Sequence, residues 1–369
     1  MAGANYKLPL WAEAGLLPAL NLLAAFVVSG LVIWGLGEDP FVALSLMVDG
    51  AFGFQEAIGY TFYYATNFVF TGLAVSVAYH AGLFNIGGEG QAMIGGLGLT
   101  LAVFLVGGDA PLLAILLGIV GAAVFGGAWA FIPACLQAKR GSHIVITTIM
   151  FNFIASALLA YLLVGPLQRP GGQMPESADF PEGVGLAHAH DLFAAIGFSF
   201  EESPLNVSAL IALACAFAVW FMLNRTRFGY ELRVVGKNHS AARFAGIPVA
   251  RMMIVAMMIS GALAGMMGLN EILGEQLRLI GNFTLGYGFV GIAVAFMGRN
   301  HPVGIILASI LFGALYQGGA ELAFEMPNIT RDLIVMIQGL VILFAGAMEH
   351  LFRDPIEGLF MRLRRKEAV

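Results

Sequence analysis

The sequence has little charge and almost no cysteine, and each shortage excludes a class of protein. Charged residues make up 11% of the 369 positions, against roughly 25% in soluble domains. Both cysteines, Cys135 and Cys215, fall in apolar segments, which excludes a disulfide framework and a thiolate metal set. The nucleotide-binding pattern G-x-x-x-x-G-K-[ST] is also missing. We therefore expect neither a soluble enzyme nor a chain that hydrolyses ATP itself.

Apolar residues, in contrast, are abundant: they form 59% of the chain, and the mean hydropathy is +0.85. Apolar runs of about 17 to 25 residues predict an all-α, polytopic membrane protein with about ten transmembrane helices in a single domain, 1–369. The predicted spans are 18–36, 60–79, 83–106, 111–133, 143–164, 204–224, 251–273, 284–298, 302–322 and 330–349. We interpret the first run as a retained span, because it is long for a signal-peptide core and no small-x-small cleavage site follows it.

Lysine and arginine collect in alternate loops, which predicts the orientation of the chain. Basic residues are dense in the segment 225–250 and in the tail 350–369, whereas the long segment 165–203 is acidic and proline-rich. The positive-inside rule places both termini and the 225–250 loop in the cytoplasm, and the 165–203 loop outside. The expected location is the bacterial cytoplasmic (inner) membrane, and the bilayer is the expected surrounding; no nucleic-acid partner is expected.

The stretch Gly82–Gly98, GLFNIGGEGQAMIGGLG, is unusual for a membrane span. It holds seven glycines and the acid Glu89. A carboxylate at bilayer depth costs several kcal/mol and is expected to face a water-filled cavity or a partner. Irregular backbone is tolerated there only when protein buries it or when it lines a cavity. One hypothesis is a broken helix on a substrate pathway; the alternative is a glycine face for close helix packing.

A second glycine-rich segment, 281–298, occupies a similar place in the second half of the chain. Paired interruptions of this kind point to a central site between two repeats. Polar and aromatic groups inside the predicted spans are the candidates for a substrate pathway. They are Phe84, Asn85, Glu89, Gln91, Thr148, Asn152, Asn270 and Phe283, with Thr147, Glu271, Asn282 and Thr284 beside them. The alternative is that these amides and acids join helix to helix.

The segment Asn224–Arg251 contains a second informative pattern. Asn238 and Ser240 are possible caps, residues 240–245 read as a short helix, and Gly246 and Pro248 end it. A soluble partner could bind such a helix; the alternative is simple positive-inside anchoring with an incidental turn. No metal site is expected, because the pair His188-x-His190 is typical of a solvated loop.

Four separated motifs resemble one family. They are LFNIGGEGQ from position 83, ITTIMFNFIA at 146–155, ELRVVGKNHSAARFAGIPVAR from position 231 with SGALAGMMG at 260–268, and GFVGIAVAFMGRNHPVGIILASILFGAL at 288–315. Together they are similar to the permease subunits of bacterial ATP-binding-cassette (ABC) importers for nucleosides and simple sugars. That family is related to ribose and branched-chain amino-acid permeases. The LFNIGGEGQ form resembles the nucleoside branch more than the ribose branch.

The resemblance implies a transport subunit without chemistry of its own. Its expected partners are a cytoplasmic ABC ATPase that uses ATP, a second permease chain, identical or homologous, and an extracytoplasmic substrate-binding protein. This chain would bind no cofactor. The expected ATPase-coupling residues are Asn238, Ser240, Ala241, Ala242, Arg243, Phe244 and Gly246.

Two other functions remain open at this point. One is the same machine with a simple sugar as substrate. The other is a proton-coupled secondary transporter in which Glu89 is protonated in each cycle.

Overall fold

The computed structural model describes residues 9, 12, 16–346 and 355–357, and in these residues the fold is all-α, as predicted. The described part holds no β-strand, only the isolated bridges Glu176–Ile280 and His188–Asn206. The helices are α1 (Leu17–Gly35), α2 (Pro40–Phe52), α3 (Gln55–His80), α4 (Gly88–Val106), α5 (Pro111–Arg140), α6 (Ile144–Val164), α7 (Ala189–Ala195), α8 (Ser208–Arg225), α9 (Arg227–Lys237), α10 (His239–Phe244), α11 (Val249–Gly265), a π-helix (Leu269–Gln276), α12 (Tyr287–Met297), α13 (Pro302–Glu325) and α14 (Arg331–Gly346).

Six helices of the described residues are long and apolar enough to cross a membrane, and a seventh span results if α1 and α2 count as one. These two helices are bent by 118° at a short break. The chain is thus polytopic, but the predicted count of ten spans is not confirmed. The sequence analysis also overlooked α2. Its signal was present, because Asp39 accepts the Phe41 N–H at 2.8 Å directly before Pro40, a typical helix start.

Residues 51–316 form one compact unit, built around α3. Most of α3 between Ala57 and Ala78 is buried. Glycines let the neighbouring helices approach closely: a Cβ on Gly95 of α4 would lie 2.3 Å from the Cα of Gly265 in α11. A Cβ on Gly126 of α5 would likewise lie 2.3 Å from the carbonyl oxygen of Gly261 in α11. Small residues at such crossings give the tight packing typical of membrane helices.

Residues 1–50 and 317–369 form a second compact unit, in which α1 packs against α14. Within this unit, the Asn328 amide donates to a Glu38 carboxylate oxygen at 2.7 Å. A Cβ added to Gly318 would lie 2.2 Å from the carbonyl oxygen of Met47, so the backbones approach closely there. The basic tail 350–369 lies outside the described residues except for 355–357. The single-domain organisation stays a prediction.

Candidate functional site

The chain between α3 and α4 is irregular from residue 81 to residue 87, and Asn85 organises this break. Its amide nitrogen donates to Gln91 Oε1 and to Ser260 Oγ, both at 2.8 Å. Its amide oxygen accepts the Gly87 N–H at 2.9 Å, and Ser260 donates onward to the carbonyl of Ala74. Backbone groups that the break removes from the helix are thereby satisfied inside the protein.

Two residues of α6, four positions apart and on one face of the helix, pack against the same break. Asn152 accepts the Gly90 N–H and donates to the Ile86 carbonyl, both at 2.9 Å. Thr148 is fully buried, and a Cβ on Gly87 would lie 3.1 Å from its side chain. We call Asn85, Gln91, Asn152, Thr148 and Ser260 the break network.

Glu89 lies in the first turn of α4 and holds the start of α12. Its Oε1 accepts the Thr284 hydroxyl and the Gly286 N–H, and its Oε2 accepts the Gly288 N–H at 2.8 Å. Free N–H groups and the helix dipole make a helix N-terminus a favourable partner for a carboxylate. Between these donors, Leu285 has a φ of 45°, a backbone conformation that costs of order 1–3 kcal/mol. The three hydrogen bonds to Glu89 offset this cost.

The two glycine-rich segments found in the sequence therefore meet in space. A Cβ on Gly288 would lie 2.3 Å from the Glu89 nitrogen, and a Cβ on Gly96 would lie 2.5 Å from the Phe283 ring. The irregular backbone is shorter than predicted, because the helix of the first segment is regular from Gly88 onward and α12 is regular from Tyr287. A helix break and close glycine packing thus both occur, each in a different part of the stretch Gly82–Gly98, and the substrate pathway stays a prediction.

A second buried network forms around Asn270 on the π-helix. Its amide nitrogen donates to the Tyr63 carbonyl at 3.0 Å and to Asn67 Oδ1 at 2.9 Å. Its amide oxygen accepts from Asn206 at 3.1 Å and from Ser208 at 2.8 Å. π-Helical turns are rare in proteins, and those that occur are frequently found at functional sites.

Glu271 is the acid of this second network, and it is 4% exposed. Asn67 donates to its Oε1 at 2.6 Å, and the Tyr63 hydroxyl also bonds to it. No lysine or arginine among the described residues pairs with it in a salt bridge. We call Asn67, Asn206, Ser208, Asn270 and Glu271, with Tyr63, the π-helix network.

A cluster of aromatic rings lies between the two buried acids. Tyr64 packs edge-on against Tyr63 and Tyr287 and at a tilt against Tyr316, with ring centroids 5.6 to 6.4 Å apart. Phe68 packs edge-on against Tyr287 at 5.5 Å and Tyr316 at 5.1 Å. Tyr63 reaches Glu271, while Tyr287 follows the Gly286 N–H that Glu89 accepts.

The sequence analysis missed this aromatic cluster and Asn67. A signal was available, because Tyr60, Tyr63, Tyr64, Asn67 and Phe68 recur every three or four residues along α3. That spacing places them on one face of a helix.

Phe84 lies apart from both networks. It is half-buried and packs against Phe296 with ring centroids 5.8 Å apart. With Tyr79, Arg233 and Lys237 it lines a cavity of ≈ 530 Å³ beside α9. The predicted pathway residues thus fall into four places: the break network, the contact of Glu89 and Phe283 between α4 and the start of α12, the π-helix network, and the Phe84 cavity. Whether each contacts substrate stays a prediction.

The short helix in the 225–250 loop is present as α10. The side chain of Asn238 accepts the Ser240 and Ala241 N–H groups at 2.9 and 3.0 Å, which caps the helix. Gly246 follows the helix with a φ of +75°. Phe244 at the end of α10 is 94% exposed.

The face of α10 is open to solvent, because only Ala242 of the helix is buried and Arg243 is exposed. The preceding helix α9 touches the break directly. A Cβ on Gly236 would lie 2.3 Å from the His80 carbonyl oxygen and 2.9 Å from the Gly82 nitrogen. The backbone of α9 is therefore in direct contact with the backbone at the break.

Comparison with known proteins identifies the family. The model of the branched-chain amino acid transport system permease component matches residues 57–346. The glucose ABC transporter permease protein TsgB13 of Haloferax volcanii is 36% identical, over 96% of this chain and 92% of the relative. The guanosine ABC transporter permease protein NupP of Bacillus subtilis is 35% identical, over 90% and 93%. The nucleoside ABC transporter permease protein NupB of Lactococcus lactis is 30% identical, over 89% and 90%.

These matches run through the break, the loop helix and the π-helix. The resemblance noted in the four sequence motifs is thereby confirmed. The chain belongs to the family of branched-chain amino acid transport system permease components, as the multi-pass, non-enzymatic membrane subunit of an ABC transporter whose ATPase is a separate subunit.

Proposed function

We propose that this chain forms the translocation path for nucleosides in an ATP-driven importer. The observation that supports it is the aromatic cluster between Glu89 and Glu271. A nucleoside needs a surface for its flat base and acceptors for its hydroxyl and N–H groups. Rings of Tyr64 and Phe68 supply the first, and the buried acid and amides of the π-helix network supply the second. The guanosine relative and the LFNIGGEGQ motif agree with this substrate class.

Transport would follow alternating access, with each polar network closing one end of the path. The carbonyl of Ala74 accepts from Ser260 of the break network, and Asn67 belongs to the π-helix network. At 1.5 Å per residue, the two networks therefore meet α3 about 10 Å apart. Opening one network while the other stays hydrogen-bonded would admit the substrate from one side only.

We further propose that α10 docks on the partner ATPase, which binds and hydrolyses the ATP. This requires the 225–250 loop and both termini in the cytoplasm, as the basic residues predict. The exposed Phe244 and Arg243 offer an apolar and a charged contact, and the Gly236–Gly82 contact carries the motion to the break. A second permease chain, identical or homologous, and an external binding protein complete the assembly.

A simple sugar is the alternative substrate, favoured by the glucose relative at 36% identity. Sugars also stack on aromatic rings and bond to acids and amides. The discriminating group is therefore the base, which only a nucleoside carries.

The substrate test is uptake of labelled guanosine, uridine, ribose and glucose by cells that express the chain with its ATPase and binding protein. ATPase-dependent uptake of a nucleoside, competed by other nucleosides and not by sugars, is expected. Competition by glucose alone would overturn the nucleoside proposal in favour of the sugar, and uptake with an inactive ATPase would overturn the ATP-driven one.

The coupling test replaces Phe244 by Ala and measures co-purification of the ATPase with the permease. We expect a loss of most bound ATPase with no change in the amount of membrane-inserted chain. The matched control is Phe198→Ala, since Phe198 is 68% exposed in the 165–203 loop, at the other end of α8. Equal ATPase recovery with both variants would contradict docking on α10.

A further inference from the structure

A group of metal-binding side chains lies at the end of the π-helix, away from α9 and α10. His188, His190 and Asp191 offer ligand atoms that all lie within 4.8 Å of one another. Glu275, from the last turn of the π-helix, brings a carboxylate oxygen to 3.7 Å from His188 Nε2. The contacts therefore join the 165–203 loop to the helix that carries Asn270 and Glu271.

The backbone explains why two histidines in a His-x-His sequence come together. His188 precedes α7 in an extended conformation, with φ −77° and ψ 157°, and the helix starts at the next residue. The two rings stack with centroids 5.2 Å apart and an interplanar angle of 19°. The Ala189 N–H donates to the Leu205 carbonyl and the Val207 N–H to the Ala187 carbonyl, which fixes this segment beside Asn206 of the π-helix network.

The cluster has features of an incomplete site. His190 Nδ1 is buried without a hydrogen-bond partner, a state that native proteins rarely leave unexplained. In the described residues, the salt bridges of Asp191 and Glu275 involve histidines alone. The nearby Arg278 is already engaged with Glu176 at 3.1 Å and Asp179 at 3.2 Å. Nothing else in this part of the chain neutralises the two carboxylates.

The ligand set and the distances fit Zn²⁺. Two imidazoles and two carboxylates match its preference for nitrogen and oxygen ligands, whereas Ca²⁺ and Mg²⁺ prefer oxygen alone. Bonds of about 2.0 Å in a tetrahedron separate the ligand atoms by about 3.3 Å. Asp191 lies 3.5 Å from His190 Nε2 and 4.0 Å from His188 Nδ1, while Glu275 lies 3.7 Å from His188 Nε2. Since Glu275 and Asp191 face different nitrogens of the His188 ring, this ring must rotate before one of its nitrogens meets both carboxylates at one ion. Two carboxylates also balance the charge of a divalent cation.

We propose that His188, His190, Asp191 and Glu275 bind one Zn²⁺ ion that clamps the 165–203 loop to the π-helix. The sequence alone pointed to a solvated loop, because it could not bring Glu275 to the pair. The Leu186 N–H already donates to the Leu273 carbonyl at 2.9 Å. The metal would therefore add a second connection between the 165–203 loop and the π-helix beside this hydrogen bond. The clamp would restrain the π-helix, which carries Asn270 and Glu271 of the π-helix network. This consequence for transport rests on the proposed function.

Binding is tested on the purified full-length chain by calorimetric titration with ZnCl₂ in detergent. One site per chain is expected, and Mg²⁺ should not displace the metal. The double variant His188→Ala/His190→Ala should lose at least about tenfold in affinity, since even outer contacts of a metal site cost that much. The control His143→Ala/His301→Ala removes exposed histidines elsewhere and should bind normally. No wild-type binding, or equal binding by both double variants, would overturn the site.

Asp191→Asn and Glu275→Gln keep the side-chain size and test the carboxylates separately. Each should weaken Zn²⁺ binding while the melting temperature without metal stays that of the wild type. Zn²⁺ should raise the melting temperature of the wild type and not that of the histidine double variant. An equal rise in both proteins would also count against the site.

The clamp is tested by uptake in reconstituted vesicles with Zn²⁺ on the side of the 165–203 loop. Severalfold slower uptake is expected for the wild type and unchanged uptake for the histidine double variant. Zinc binding without any effect on uptake would overturn the clamp. A failure of the proposed function looks different, because uptake would then be absent without zinc while the binding isotherm stayed intact.

Discussion

Glu89 and Glu271 are both buried acids in a membrane protein, yet their surroundings differ in kind. Glu89 accepts two backbone N–H groups and one hydroxyl from the segment 284–288. In the part of the chain that the structure describes, the carboxylate of Glu271 accepts from two side chains, Asn67 and Tyr63. Backbone donors at a helix start have no other partner, whereas an amide or a phenol can turn to a ligand. Glu89 is therefore suited to hold structure, and Glu271 to exchange partners.

This difference reverses the emphasis of the sequence analysis. There, Glu89 stood out because its neighbours are glycines, and Glu271 was only an acid beside a pathway candidate. In the fold, all three donors to Glu89 come from the segment 284–288, which leads into α12. The aromatic cluster touches Glu271 through the Tyr63 side chain, which makes Glu271 the better candidate for a substrate contact. Substitutions at the two acids should separate these roles.

The largest effect is expected for Glu89→Ala. Two N–H groups and a hydroxyl would lose their acceptor in a buried site, at about 1–3 kcal/mol each, and the strained Leu285 would lose its support. We expect a strong fall in the amount of folded chain and in its melting temperature in detergent. The exposed Glu202→Ala is the control and should leave both unchanged. A melting temperature of Glu89→Ala equal to that of the wild type would show that the hydrogen bonds to Glu89 contribute little to stability.

Gly288→Ala perturbs the same contact between α4 and α12 from the α12 side. The added Cβ would lie 2.3 Å from the Glu89 nitrogen and 2.6 Å from its Cα, and backbone cannot move aside as a flexible side chain does. We expect destabilisation of about 1–3 kcal/mol, the usual cost of overpacking. Gly339→Ala in α14 has open space and should stabilise by up to about 1 kcal/mol. If thermal melts rank the two variants equally, the close approach of α4 and α12 is not required.

Sequence reasoning reached the features that depend on local pattern. The all-α class follows from apolar runs, the pairing of Thr148 and Asn152 from helical spacing, and the cap at Asn238 from residue type. The partners of the acids were out of reach, because Thr284 is 195 residues from Glu89 and Asn67 is 204 residues before Glu271. No periodicity in one sequence encodes such a contact.

The extent of the irregular backbone was also out of reach. Seven glycines between Gly82 and Gly98 predicted a long break, but Gly95, Gly96 and Gly98 lie in regular helix. Each faces a close neighbour, and Gly98 would place a Cβ 2.3 Å from the Phe125 ring. Whether a glycine breaks a helix or lets another helix approach depends on the tertiary partner, which the sequence does not name.

Glu271→Gln should affect transport more than stability. Glutamine keeps an oxygen for Asn67, but a neutral acceptor forms hydrogen bonds weaker by about 1 kcal/mol than a charged one, or roughly fivefold in an equilibrium. We expect the maximal uptake rate per folded chain to fall about fivefold, with a melting temperature near that of the wild type. The apparent KM should change little if a binding protein delivers the substrate. A melting temperature as low as that of Glu89→Ala would erase the distinction between the two acids.

The smallest effect is expected for Tyr63→Phe, which removes only the hydroxyl that bonds to Glu271. The ring keeps its contact with Tyr64 at 5.6 Å, so the aromatic surface is preserved, and Asn67 still donates to the acid. The lost hydrogen bond to a charged group is worth about 1.5–3 kcal/mol at most, and a bound substrate hydroxyl can take the vacated position. Stability should therefore fall by less than in Glu89→Ala, while uptake of a nucleoside stays within about twofold to threefold of the wild type. Uptake at different nucleoside concentrations, normalised to folded chain, measures this. A fall in uptake as large as that of Glu271→Gln would mean that the phenol and the acid act as one fixed unit. The contrast between a structural Glu89 and an exchangeable Glu271 would then fail for Glu271.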